Sequence, residues 1–130
     1  MGDETRCCGP LCERILHPLV RQSQARFLKQ ARARREPLVV LDIPLLFETG
    51  GEKRCDAVVV VSAPPWVQRA RVMARPNMTA ARFRAILKKQ TPDHEKRRRA
   101  DYIVPSGLGR AVTYRRLRRL VQTLRPRVAA

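Results

Sequence analysis

Acidic residues are scarce in this chain. There are 11 Asp and Glu against 28 Lys and Arg in 130 residues, a formal charge of +17. A field of that size attracts polyanions: nucleic acid, an anionic membrane or phosphorylated small molecules. Arginine dominates the basic set, and its planar fork suits phosphate. A solvated basic surface without a partner would give the same count, so charge alone does not choose. Aromatics are also few, at 5%. None is interleaved with Arg97-Arg98-Arg99, which argues against a base-stacking platform and so against a nucleic-acid module. No RNP motif or paired Cys/His finger is present. There is no apolar h-region for a secretory signal and no apolar run long enough for a bilayer. A cytoplasmic protein with no membrane partner is expected. The four cysteines include no C-x-x-C pair. Cys7, Cys8, Cys12 and His17 fit no usual zinc spacing, so free thiols in a reducing compartment are expected and no metal site is assigned. Most tellingly, no Gly-x-x-x-x-Gly-Lys-Ser/Thr loop occurs, so nothing matches the Walker A cradle for phosphates.

What is present is a core. Hydrophobic residues make up 44%, enough for one globular domain. Leu38 to Leu41 is a continuous apolar run, predicted to be a strand buried on both faces. Asp42 ends it, Pro44 blocks further pairing, and Leu45-Leu46-Phe47 closes on Glu48. In open α/β sheets ligands sit at the carboxyl ends of strands, so this stretch is a candidate site edge.

The rest of the chain alternates around that run. Met1 to Leu11 shows no periodicity. Glu13 to about Arg35 predicts a helix, with Ile15, Leu16, Leu19, Val20, Phe27, Leu28 and Ala31 on one stripe. Thr49 to Glu52 reads as a loop. Asp56 to Ser62 is a second buried strand, broken by Pro64-Pro65. Trp66 to Arg75 predicts a short helix. Thr79 caps another, with Phe83, Ile86, Leu87 and Gln90 at helical spacing. Glu95 to Ala100 is a basic helical turn. Asp101 to Val104 is a third strand, and the last helix carries Leu117, Leu120, Val121 and Leu124. Strands separated by helices predict a parallel sheet. Residues 66–100 interrupt it as a helical cap rich in arginine.

That cap is the strongest chemical signal. Arg71 and Arg75 share a helix face, with Arg69 on a neighbouring one. With Lys88, Lys89 and Lys96 they can surround a polyphosphate, where cations offset charge building on phosphoryl oxygens. A solvated charged hairpin is the alternative. His17, beside the first helix's apolar stripe, reads as structural, and His94 as solvent-facing.

Taken together the motifs resemble the dephospho-CoA kinase family. The resemblance rests on Ile15-Leu-His-Pro-Leu-Val20, Leu41-Asp-Ile-Pro-Leu-Leu-Phe-Glu48 and Val58-Val-Val-Val-Ser62 running to Gln68-Arg69. It continues through Ala74-Arg75, Gln90 to Glu95-Lys96-Arg97 and Ala100-Asp-Tyr-Ile-Val104. It implies an α/β P-loop kinase fold: a three-layer arrangement around a parallel sheet, incomplete here, with a helical lid inserted. Residues 13–65 and 101–130 would form the partial core with a CoA-binding helix, 66–100 the lid, and 1–12 match nothing. The implied activity is ATP- and magnesium-dependent phosphorylation of the ribose 3′-hydroxyl of dephospho-CoA, the last step of coenzyme A synthesis. His17, Pro18, Pro44, Leu45, Leu46, Phe47 and Glu48 would border that substrate. Arg69 and Arg75 would stabilise the transferring phosphate. With Gln90 and Lys96 they would also contact ATP, and the loop after Val104 would pass near the adenine.

The family's opening strand, Walker A loop and early aspartate have no counterpart in these residues. Ile86 and Pro105-Ser106 also replace the family's usual Arg and Asp-Asn. The expectation is therefore an inactive fragment from a gene piece or misplaced start, marginally stable, with two apolar strands left without their shared neighbour. Another P-loop nucleotide kinase or a basic nucleic-acid module are the alternatives.

Overall fold

The computed structural model describes residues 10–128, with side chains from His17 to Arg125. The chain divides into two compact units, one running to Leu41 and taking in the end of α5 (Arg110–Val128) from Arg127, the other Asp42–Pro126.

The first unit is built on α1 (Pro10–Ala33). It starts before Glu13, the predicted boundary, and continues through Pro18. Its end is a Schellman closure. Arg35 sits at φ 56, its N–H bonds to the Arg32 carbonyl at 3.0 Å, and the Glu36 N–H bonds to the Ala31 carbonyl at 3.0 Å. Glycine usually holds that left-handed position; here an arginine does. The predicted stripe is only partly covered: Ala31 is buried, while Leu19, Val20 and Phe27 are 56%, 50% and 48% exposed.

The predicted strand at Leu38 is not formed. Leu38 to Ile43 has no regular structure. Its backbone makes no backbone–backbone hydrogen bond among the described residues, and Val40 is 76% exposed. The reason is that apolar, β-branched residues favour a strand only where a neighbour offers a ladder. The sole ladder among the described residues joins two other segments.

Those segments are β1 (Val59–Ser62) and β2 (Tyr102–Pro105), paired parallel with Val59 opposite Tyr102 and Ser62 opposite Pro105. β1 is shorter than the run from Asp56 that predicted it, and β2 is shifted by one residue from the predicted Asp101–Val104. Burial alternates along β1: Val58, Val60 and Ser62 are buried, whereas Val59 and Val61 are 37% and 58% exposed. The all-apolar run therefore corresponds to one-sided burial, not the two-sided burial expected of a central parallel strand. Phe47, Val58 and Val60 form the core cluster, with Leu46, Cys55 and Ala100 against it. Val104 is the most buried of the core hydrophobics, at 2% exposed.

The crossover between β1 and β2 is entirely helical, as expected of parallel strands. It comprises α2 (Pro65–Met73), α3 (Ala80–Lys89) and α4 (Asp93–Arg99). Pro65 opens α2 at a position where a proline costs no hydrogen bond. Thr79 caps α3, its hydroxyl accepting from the Arg82 N–H at 3.2 Å. In α4 Asp93 and Glu95 occupy the first turn and basic residues the last, matching the helix dipole. Thr113 of α5 donates to the Pro105 carbonyl at 3.1 Å, tying that helix to the end of β2.

Asp101 is the clasp at the start of the sheet. Its carboxylate accepts from the Val58 N–H at 2.7 Å, and the Val58 carbonyl accepts from the N–H groups of Asp101 and Tyr102. Asp101→Ala leaves the Val58 N–H without that acceptor and is expected to cost about 1–3 kcal/mol, read as a lowered urea midpoint. Asp101→Asn, which keeps an acceptor, is expected to lose less; equal losses would refute the clasp.

Candidate functional site

The carboxyl ends of β1 and β2 are joined by a short polar chain. Ser62, though buried, donates its hydroxyl to the Asp93 carboxylate at 2.8 Å. The Ser62 carbonyl accepts from the Ser106 N–H at 2.8 Å and from its hydroxyl at 3.3 Å. Arg71 of α2 reaches the same serine, donating to Ser106 Oγ at 3.1 Å and to its carbonyl at 2.7 Å. Gln68 donates to the Ala63 carbonyl at 2.6 Å. The turn packs tightly enough to need Gly107, since a Cβ there would lie 2.7 Å from Pro64 Cδ. The base of α2 is thus bonded to both strand tips.

A second cluster surrounds Glu48. Its Oε1 accepts from the Thr91 N–H at 2.7 Å and lies 3.7 Å from Lys96 Nζ. Lys96 also donates to Gln90 Oε1 at 3.4 Å. Beside it Arg99 pairs with Glu52 and stacks over the Phe47 ring, 4.7 Å from its centroid. The second carboxylate oxygens of Glu48 and Glu52 are buried and have no hydrogen-bond partner among the described residues. Burial is the largest single influence on Glu48 and pushes its pKa up. The Thr91 and Glu48 N–H groups, the Lys96 ammonium and the Thr91 side chain together outweigh it and hold the carboxyl below its ordinary value of 4.5.

The structure distributes the residues singled out from sequence unevenly. His17 and Pro18 are exposed on α1, in the first unit. Pro44 to Glu48 lies in the second unit as a turn. Pro44 and Leu45 are exposed, Leu46 is half-buried and Phe47 belongs to the core. Arg69 and Arg75 are exposed. Neither side chain has a hydrogen bond or ion pair among the described residues, unlike Arg71, Arg82, Lys96, Arg98 and Arg99 of the same insertion. Gln90 and Lys96 sit in the Glu48 cluster. His94 is exposed, as predicted. Cys7 and Cys8 lie outside the described residues, as does the Cys12 side chain.

Sequence reasoning missed Ser62, Thr91, Asp93 and Ser106 as members of these networks, and the pairing of Glu52 with Arg99. One signal was available: Asp93 directly follows a proline at a helix start, where a carboxylate is held near the strand ends. Among the described residues no group of three or more His, Cys, Asp or Glu is placed to hold a metal ion. Nor is any helix among them long and apolar enough to cross a membrane.

Comparison with known proteins adds the family. The model of the family described as dephospho-CoA kinase matches residues 9–108. A dephospho-CoA kinase of Rhizobium meliloti is 54% identical over 113 residues, covering 87% of this chain and 58% of that protein. One from Mesorhizobium japonicum is 59% identical over 97 residues, covering 75% and 49%. A crystal structure from Thermus thermophilus superposes with a TM-score of 0.71 at 33% identity, over 89% of this chain and 61% of that one. The chain therefore spans about half to three-fifths of the length of these relatives.

Because the folded-state pKa of Glu48 is depressed, its contribution to stability is present above 4.5 and lost as pH falls through the lower folded value. The urea midpoint of the unsubstituted chain is expected to fall more steeply below pH 4.5 than that of Glu48→Gln. Parallel curves would contradict this.

Proposed function

The chain belongs to the dephospho-CoA kinase family, and from that premise we propose that it carries the lid and part of the substrate-binding core of an enzyme phosphorylating the ribose 3′-hydroxyl of dephospho-CoA. ATP is the donor, with magnesium, in the last step of coenzyme A synthesis in the cytoplasm. One observation carries the reading beyond the family match. The helical insertion commits Arg71, Arg82, Lys96, Arg98 and Arg99 to protein partners, and leaves Arg69 and Arg75, together with Arg84, Lys88, Lys89 and Arg97, exposed and without a side-chain hydrogen bond or ion pair among the described residues. An unpaired guanidinium on a capping hairpin suits a phosphate, because its fork meets two oxygens at once.

In this reading Arg69 and Arg75 offset the charge that accumulates on the phosphoryl oxygens as the donor bond loosens. His17, Pro18, Pro44, Leu45 and Leu46 offer surface to the CoA substrate. Phe47 acts from below, as the core residue that seats the turn. Among the described residues no group of three or more His, Cys, Asp or Glu gathers to hold a metal ion, and no step here depends on magnesium. The 130 residues also lack a Gly-Lys-Ser or Gly-Lys-Thr cradle, so by themselves they hold the donor phosphates only through the lid.

Three measurements test this. Dephospho-CoA or CoA is expected to raise the melting temperature of the chain by mass action. RNA binding with a steep salt slope and no such shift would favour a basic nucleic-acid module instead. Arg69→Met and Arg75→Met are each expected to weaken ATP binding by roughly tenfold or more, the worth of a charge-assisted pair; unchanged affinity in both would overturn their role. The 130-residue chain alone is expected to turn over no ATP, and measured phosphorylation of dephospho-CoA by it would refute that.

A further inference from the structure

The insertion between β1 and β2 is attached to the core at two places and nowhere between. At its start, Gln68 and Arg71 hold the first two turns of α2 to Ala63 and Ser106. At its return, Glu48 holds Thr91 and Lys96, Ser62 holds Asp93, and Glu52 holds Arg99. From Val72 to Lys89 every hydrogen bond among the described residues stays within the insertion and none reaches the core, such as Arg82 to the Asn77 carbonyl at 2.7 Å and Met78 to the Arg75 carbonyl at 3.3 Å. The turn there is made by Pro76 and by Asn77 at φ 59. Ile86 and Leu87 of α3 are 39% and 49% exposed, so apolar packing adds little restraint at its tip.

We propose that Glu48 is a positioning residue of the lid: by fixing Thr91 and Lys96 it makes α4 part of the core and confines lid movement to Val72–Lys89. Arg69 then lies between two attachments and is preset, while Arg75 lies beyond them and travels with the tip. Glu48, Gln90 and Lys96 form the anchor. Glu48, a partly buried carboxylate, uses one oxygen for the anchor, while its buried Oε2 has no hydrogen-bond partner among the described residues. The meaning of the preset and travelling arginines rests on the phosphate-transfer reading above; the anchor itself does not.

Amide hydrogen exchange on the 130-residue chain tests it, in the unsubstituted protein, Glu48→Gln and Glu48→Ala. Removing the charged acceptor is expected to speed exchange at Thr91 by roughly tenfold in Glu48→Gln and up to about a hundredfold in Glu48→Ala. Val60 and Val104, in the sheet, are expected to keep their rates. If Thr91 changes less than about twofold in Glu48→Gln, or if Val60 and Val104 accelerate by the same factor as Thr91, the anchor is wrong. Should Glu48→Ala not fold, Glu48→Gln decides alone. A second arm adds saturating ATP to the unsubstituted chain. Slowed exchange at Ala74 to Lys89 with Thr91 unchanged supports the division of the lid. Slowed exchange at Thr91 would place the anchor in the ligand site and overturn it. If ATP alters no amide, the phosphate-transfer reading fails while the Glu48 comparison still stands or falls by itself.

Discussion

A parallel ladder of two four-residue strands has to hold the second unit together. Parallel pairs are rarely stable alone, and this one has no third strand beside it among the described residues. Its persistence depends on what closes its ends. At the amino end Asp101 grips Val58; at the carboxyl end Ser62 is bonded on one side to Asp93 and on the other to Ser106. Each contact spans a long sequence separation, so each converts a loop-closure cost into local order around the sheet. The helices of the crossover are positioned by these contacts more than by apolar packing, for α2, α3 and α4 contain no buried residue.

That economy shapes the chemistry available. A basic insertion on so small a core would repel itself unless some of its charge were neutralised internally. Glu48, Glu52 and Glu95 do this for Lys96, Arg99 and Arg98. Arg71 is neutralised only by dipoles, through the Ser106 hydroxyl and carbonyl. What remains, among the described residues, includes the exposed guanidiniums of Arg69, Arg75, Arg84 and Arg97 on an insertion whose two feet are bonded to the core.

The apolar surface left open follows from the same constraint. Val59, Val61 and Ile103 on the strands are 37%, 58% and 41% exposed, and Leu117 and Val121 on α5 are 37% and 38% exposed. Among the described residues the β1 ladder runs on one side only. Leu38–Leu41, predicted as a strand, forms none.

Much was legible from residues alone because it is locally determined. The Thr79 cap, the break at Pro64-Pro65, the helical crossover and the two apolar strands follow from side-chain hydrogen bonding, fixed φ and apolar runs. So does the family, since Pro44 to Glu48 and Gln68-Arg69 are contiguous motifs. Tertiary structure decided the rest. Whether Leu38–Leu41 becomes a strand depends on a partner ladder that no local pattern encodes. Whether Glu48 meets a ligand or Thr91 depends on two segments separated by 43 residues coming within 2.7 Å. Spacing places a carboxylate beside a strand end; only the folded chain assigns it a partner, because hydrogen-bond geometry is set by distance in space and not along the sequence.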